Sequence, residues 1–230
     1  KEQKVATNFR KIMKSKNPGD KKFKITLSDT ARLYPPLWGG PRRIWHLFSN
    51  LKKDLFDITY VGIDQKLLKG RRYSFNRIED NFKEALVGFP KHYYPWHYLE
   101  KKIIRNSALD LFSYLYMHTH RDFKDMFSAL EADILVCSHP WSSLSMNKKD
   151  NQLFIYDAHN CEYLLMDQIL GNHILKPFIL KKIKHSEGDA CKKADIIIVC
   201  SDSEKKHFID IYDVEPDVLT VIPNGSYSRP

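Results

Sequence analysis

Ala194 to Gly225 reads ADIIIVCSDSEKKHFIDIYDVEPDVLTVIPNG. Asp195–Cys200 and Asp217–Ile222 are nearly continuous apolar runs, the pattern of strands covered on both faces. Glu204–Ile211 between them has helical composition, and Ser201 is placed to cap that helix at its N-terminus. A strand, a helix and a second buried strand over this length make a β-α-β unit with parallel strands. Polar residues gather just past each strand: Ser201-Asp202-Ser203 after the first, Pro223-Asn224-Gly225 after the second.

The same pattern recurs upstream. Asp133–Ser138 (DILVCS) predicts a buried strand that runs into His139-Pro140-Trp141. Gln152–Tyr156 (QLFIY) predicts another, followed by Asp157-Ala158-His159-Asn160-Cys161-Glu162-Tyr163. Leu164–Ala194 predicts helix with a break near Gly171 and Pro177. Near the start, Phe23–Ser28 (FKITLS) predicts a first strand and Asp57–Ile63 (DITYVGI) a second. Ile44–Phe56 between them predicts a helix, from apolar groups at Ile44, Leu47, Phe48, Leu51 and Leu55. The expectation is an α/β, Rossmann-like parallel sheet with helices on both faces. The polar residues past its strands then line one edge, where open parallel sheets bind ligands.

Tyr34–Arg43 (YPPLWGGPRR) lies on that edge, after the first strand and before the helix. Glycine lets a backbone turn and a ligand approach, and the helix N-terminus offers unpaired N–H groups that suit a phosphate. Gly39 and Gly40, with Arg42 and Arg43 beside them, are therefore candidate donor-phosphate ligands. The plainer reading is a turn that needs two glycines. GxGxxG is absent, as are GxSxG, HExxH and the P-loop, so neither a dinucleotide fingerprint nor a nucleophile series is present. His139 and His159 follow neighbouring strands and are the catalytic candidates, able to hydrogen-bond a sugar hydroxyl or a phosphate or to move a proton. Asn160, Glu162 and Ser201 are candidate cleft or acceptor residues. Glu162 reads equally as an acid opening the next helix, and Ser201 as a cap. His118 and His120, two apart on a predicted helix over Leu109–Leu130, point apart and do not suggest a shared ion. Nothing requires a metal or other cofactor.

The chain has 230 residues and a formal charge of +9. Nine Lys or Arg and two acids fall within residues 1–24, so this segment carries +7 and the remainder only +2. Residues 1–22 read as a solvated basic arm or linker, and the concentration of charge there argues against nucleic acid as the partner of the whole domain. Residues 64–105 are basic and aromatic. They read as an insertion that packs its aromatics on the domain, or as a surface for a lipid–water boundary. The four cysteines form no CxxC pair and suit a reducing, cytoplasmic setting. No apolar run is long enough to span a membrane, and no signal-peptide pattern opens the chain. Because it opens at Lys1, it reads as part of a longer protein.

Four places resemble the N-terminal half of a GT-B glycosyltransferase of the retaining family 4 type: YPPLWGG, ADILVCSHPW, IYDAHNCEY and the segment that ends in IPNG. The likeness spans about residues 23–225. It implies an acceptor-side domain, with Asn224 and Gly225 at a hinge and a linker opening at 226–230. It implies a nucleotide-sugar donor, which a C-terminal domain beyond Pro230 would largely hold, and a glycan or lipid-linked acceptor. It also implies that Gly39 and Gly40 approach the donor phosphates and that His139 or His159 contacts the sugar or acceptor. Such an enzyme needs no metal, works in the cytoplasm or peripherally on a membrane, and is inactive as this half alone. Ser226-Tyr227 departs from the Val-Asp usual after the Asn-Gly. The other reading is a Rossmann-like binding or interaction domain without catalysis, tethered by the basic arm.

Overall fold

The computed structural model describes residues 22–64, 73–88 and 120–225. The arm at 1–21, positions 65–72 and 89–105 of the predicted insertion and the first half (109–119) of the predicted helix over Leu109–Leu130 lie outside the described residues. The strands are β1 (Phe23–Ser28), β2 (Phe56–Asp64), β3 (Tyr73–Glu79), β4 (Phe82–Gly88), β5 (Ile134–Cys137), β6 (Leu153–Asp157), β7 (Ile196–Val199) and β8 (Leu219–Val221). They form one sheet in the order β3-β4-β2-β1-β5-β6-β7-β8. Every neighbouring pair is parallel except β3 with β4. The helices are α1 (Gly39–Phe48), α2 (Arg121–Ala129), α3 (Pro140–Ser143), α4 (Glu162–Leu170), α5 (Lys176–Lys193) and α6 (Asp202–Tyr212).

Strand alternation sorts the core onto two faces. Ile25, Leu27, Ile58, Tyr60, Phe82, Ile134 and Val136 pack with Ile44 and Phe48 of α1. On the other face, Val61, Ile63, Ala85 and Val87 meet α2, α4 and α5, and Leu135, Cys137 and Tyr156 lie near α5 and α6. This two-sided cover explains why the strands read as continuous apolar runs.

Two expectations are corrected. The stretch at 64–105 is not simply an insertion laid on the domain, because β3 and β4 form an antiparallel hairpin within it and β4 extends the sheet itself beside β2. Its positioning residue is a buried carboxylate. Glu84 Oε1 accepts from the backbone N–H groups of Leu33 (2.8 Å) and Tyr34 (3.1 Å), which fixes the loop between β1 and α1. That loop also lies so close to β2 that a Cβ on Gly62 would come within 2.2 Å of the Ala31 carbonyl oxygen, and Tyr60 donates its hydroxyl to the same oxygen.

The second correction concerns Gly39 and Gly40. They are not a turn ahead of the helix but the first two residues of α1, which ends at Phe48 rather than Phe56. Pro41 follows in the first turn, where its missing N–H costs no helical hydrogen bond.

Candidate functional site

The chain leaves β1 in the middle of the sheet and builds outward to β3 on one side, then returns to add β5 to β8 on the other. The order therefore reverses between β1 and β5, and a crevice opens outside their carboxyl ends. Ser28 and Cys137 are paired in register there, so Asp29 and His139 project from the same level of the edge. His139 Nδ1 donates to Asp29 Oδ1 at 2.6 Å, across 110 residues of sequence.

His139 Nε2 faces a second carboxylate, Glu162 Oε1, at 3.6 Å. Its ring lies 5.0 Å from that of Trp141 and 5.1 Å from that of His159. Burial works against a charge on His139, but the charge and hydrogen bond of Asp29 outweigh it and raise the imidazole from 6.5 to about 9. Burial likewise opposes the Asp29 anion, and His139 overrides it, holding that carboxyl well below its ordinary value. Glu162 is pushed up from 4.5 to about 7, first by burial. His139 thus enters neutral pH as an imidazolium, a hydrogen-bond donor rather than a proton acceptor.

A pH dependence follows. A histidine raised on folding contributes stability that is fully present below its ordinary 6.5 and is lost as pH rises through about 9. Asp29, depressed on folding, contributes above its ordinary 3.8, and that share is lost only as pH falls through its lower folded value. Glu162, raised, adds a further loss of stability as pH climbs from 4.5 through about 7. Melting temperature is therefore expected to fall between pH 6.5 and 9, by at most about 3 kcal/mol of stability for the histidine. Asp29→Asn flattens that slope. An NMR titration placing His139 at or below 6.5 contradicts this account.

The N-terminus of α1 closes the crevice from above. Its N-cap, Trp38, makes no side-chain hydrogen bond to the first turn. A Cβ on Gly40 would stand 3.3 Å from His159 Nδ1 and 3.8 Å from Asp29 Oδ2, so the absent side chain lets the first turn of α1 rest against His159. Three buried atoms along this edge have no hydrogen-bond partner among the described residues: Ser138 Oγ, Asp157 Oδ2 and His159 Nε2. The last two lie 3.6 Å apart.

Arg43 corrects the expectation of a phosphate ligand. Its side chain is 5% exposed and turned inward. Nε and Nη2 donate to Asp157 Oδ1 at 3.2 and 2.9 Å, and Nη1 donates to the Ile222 carbonyl (3.0 Å) and Asn224 Oδ1 (2.8 Å). The helix turn that faces Ile44 and Phe48 to the core also faces Arg43 inward, and its fork is spent on protein acceptors. Arg42 stays exposed, with Nε on the Pro36 carbonyl at 3.3 Å. Asn224 and Gly225 are exposed, Asn224 being tied to α1 through Arg43.

Ser201 acts as the N-cap of α6, its Oγ accepting from Glu204 N at 3.2 Å, so a place in the crevice is not needed to explain it. Asn160 hydrogen-bonds Glu162 and thereby favours the carboxylate form. His120, outside this group, caps α2. Among the described residues no cluster of His, Cys, Asp or Glu is arranged to hold a metal ion.

Residues missed by the sequence reading are Asp29, Asp157 and Glu187. Glu187 is 0% exposed and accepts from the backbone N–H of Glu162 (2.8 Å) and Tyr163 (3.0 Å) and the hydroxyls of Tyr156 (3.1 Å) and Tyr212 (2.5 Å). It serves as a remote cap for α4, whose N-cap, Cys161, provides no side-chain bond. Polarity at strand ends was a usable signal for Asp29 and Asp157. Nothing in the local sequence marks Glu187.

The sequence pattern described as Glycosyltransferase Family 4 matches residues 80–226. The chain belongs to glycosyltransferase family 4. A sequence comparison with curated proteins finds no match. Among solved structures, this family 4 domain is similar to the UDP-forming α,α-trehalose-phosphate synthase from Burkholderia xenovorans, at TM-score 0.51 and 13% identity. It is also similar to the α,α-trehalose-phosphate synthase from Burkholderia vietnamiensis (TM-score 0.49, 12% identity). The alignments cover 84% and 82% of this chain and 42% of each of those. The first likeness shows the fold, a Rossmann-like α/β sheet of the GT-B kind. The family 4 chain thus spans well under half the length of these two synthases.

Proposed function

We propose that this domain is the acceptor-side half of a retaining glycosyltransferase that moves a sugar from a nucleotide-sugar donor to a glycan or lipid-linked acceptor. The observation that carries the reading is the crevice at the reversal of strand order. There the first turn of α1 meets His159 at Gly40, beside the Asp29–His139 pair. In the reaction the bond from the sugar carbon to the donor phosphate breaks, and a bond to the acceptor oxygen forms on the same face. The acceptor proton passes to the departing nucleoside diphosphate. The developing phosphate charge is met by the N–H groups and positive end of α1. His139, as a donor, holds a hydroxyl of the sugar or acceptor, and Asp29 keeps that ring oriented. His159, whose Nδ1 edge lies against Gly40, supports the first turn of α1 over the crevice. A donor-binding C-terminal domain completes the cleft, Asn224 and Gly225 forming the joint. No metal or other cofactor takes part.

The basic segment 1–24, net +7, and the lipid-linked class of acceptor favour work at the surface of a membrane facing a reducing compartment. All four cysteines are free, and no described helix is long and apolar enough to cross a bilayer.

The test is turnover of a panel of nucleotide sugars by the full-length protein. One donor is expected to be consumed, with His139→Ala and His159→Ala each lowering kcat/KM about a hundredfold or more. The 230 residues alone are expected to be inactive. Failure to turn over any donor, with the second domain present and folded, defeats the proposal.

A further inference from the structure

Helices α4 and α5 form an antiparallel hairpin. Glu187, near the end of α5, holds the first N–H groups of α4, while Lys176 at the start of α5 reaches Asp167 of α4 at 2.9 Å. The tip of this hairpin carries Ile174, 89% exposed, with Leu175 at 44% and Phe178 at 56%. Three large apolar side chains in five residues are contiguous and outward, which distinguishes them from scattered surface hydrophobics.

Residues 171–186 contain Lys176, Lys181, Lys182 and Lys184 and no acid. Phe178, Lys181, Lys182 and His185 fall at i, i+3, i+4 and i+7 and so share one exposed side of α5. The opposite side, Ile179, Leu180 and Ile183, is spent on the core. Lys182 Nζ lies 5.8 Å over the Phe178 ring.

We infer that the α4–α5 tip docks on an anionic bilayer, with Ile174, Leu175 and Phe178 entering the interface and Lys181 and Lys182 on the headgroups. The charge pattern selects this occupant. A second copy seated tip to tip would oppose two lysine faces, whereas an anionic lipid surface neutralises them, and long lysine stems let apolar neighbours sink while the ammonium groups stay in water. This surface deepens the membrane-facing part of the proposed function and rests on it for its biological meaning. Vesicle binding is nevertheless measured without any sugar transfer, so the two ideas fail separately.

The experiment uses the 230-residue chain with an environment-sensitive fluorophore on Asn172→Cys, at the exposed hairpin turn. Vesicles of phosphatidylcholine with phosphatidylglycerol are compared with phosphatidylcholine alone. The label is expected to shift to the blue only with the anionic vesicles, and less in high salt. Ile174→Ser, Leu175→Ser and Phe178→Ser together should weaken binding about tenfold or more and abolish the shift. Lys181→Gln and Lys182→Gln should each cost about fivefold. Since all these side chains are exposed, an unchanged melting temperature certifies the fold. Sedimentation with vesicles without a shift at residue 172 would assign binding to the basic arm and overturn the inference. Unaltered affinity of the serine variant, or a tip that changes only self-association or binds only an acidic protein, overturns it as well.

Discussion

Arg43→Met is expected to destabilise the domain by about 3–5 kcal/mol, the range for removing one partner of a buried ion pair. That is a large part of the roughly 5–15 kcal/mol that holds a domain folded. Asp157 is 0% exposed, and its Oδ1 depends on the two Arg43 N–H groups while Oδ2 has no hydrogen-bond partner. Without the guanidinium that buried carboxylate loses both of its side-chain hydrogen bonds and its one directly bonded cation, keeping only His159 Nε2 at 3.6 Å. Lysine cannot replace the fork, because one ammonium does not reach Asp157, the Ile222 carbonyl and Asn224 together. The check is a urea or thermal unfolding series with a double-mutant cycle. Arg43→Met with Asp157→Asn should recover at least half of the single-variant loss, since the orphaned charge is gone. A loss below about 1 kcal/mol for Arg43→Met would place the pair among weak surface bridges instead. The variant should also raise hydrogen exchange at Ile222 and Asn224, because Arg43 is what ties that exit segment to α1.

The same residue shows where sequence reading stops. Arg42 and Arg43 look equivalent beside two glycines, and only the turn of α1 separates them, one outward and one into the core. The sheet was legible because burial on both faces leaves nearly continuous apolar runs in the later strands, from Ile134 to Val221, and alternate apolar positions mark β1. The hairpin of β3 and β4 was not. Tyr73–Glu79 is half exposed, and Phe82–Gly88 contains Glu84, a charge that reads as surface but is buried to clamp Leu33 and Tyr34. The placement of His139 and His159 past neighbouring strands was legible from spacing. The polar strand end marks Asp29, but its pairing with His139 was not legible, since that partner lies 110 residues away. Contacts of that range are set by strand order, and strand order is carried by topology rather than by any local run of residues.

Glu187→Ala is expected to cost about 4 kcal/mol or more, by leaving four donors without their acceptor at about 1–3 kcal/mol each for those that stay dry. The four are the N–H groups of Glu162 and Tyr163 and the hydroxyls of Tyr156 and Tyr212. Glu187→Gln should cost about half as much. Its oxygen can still serve Tyr156 and Glu162, but its amide nitrogen would confront the Tyr163 N–H, donor to donor. The effect should also reach the crevice. Glu187 fixes the first residue of α4, and that residue is Glu162, which faces His139 Nε2 at 3.6 Å. Burial raises Glu162, and the charge of Glu187 raises it further. Removing Glu187 should therefore lower the pKa of Glu162 and shift the pH at which its share of stability is lost downward from about 7. Denaturation across a pH series with a carboxyl-labelled NMR titration of Glu162 reads both effects. If the alanine variant loses stability while Glu162 titrates unchanged, the cap on α4 is structural only. The crevice would then owe its electrostatics to Asp29 and His139 without help from the far end of α5.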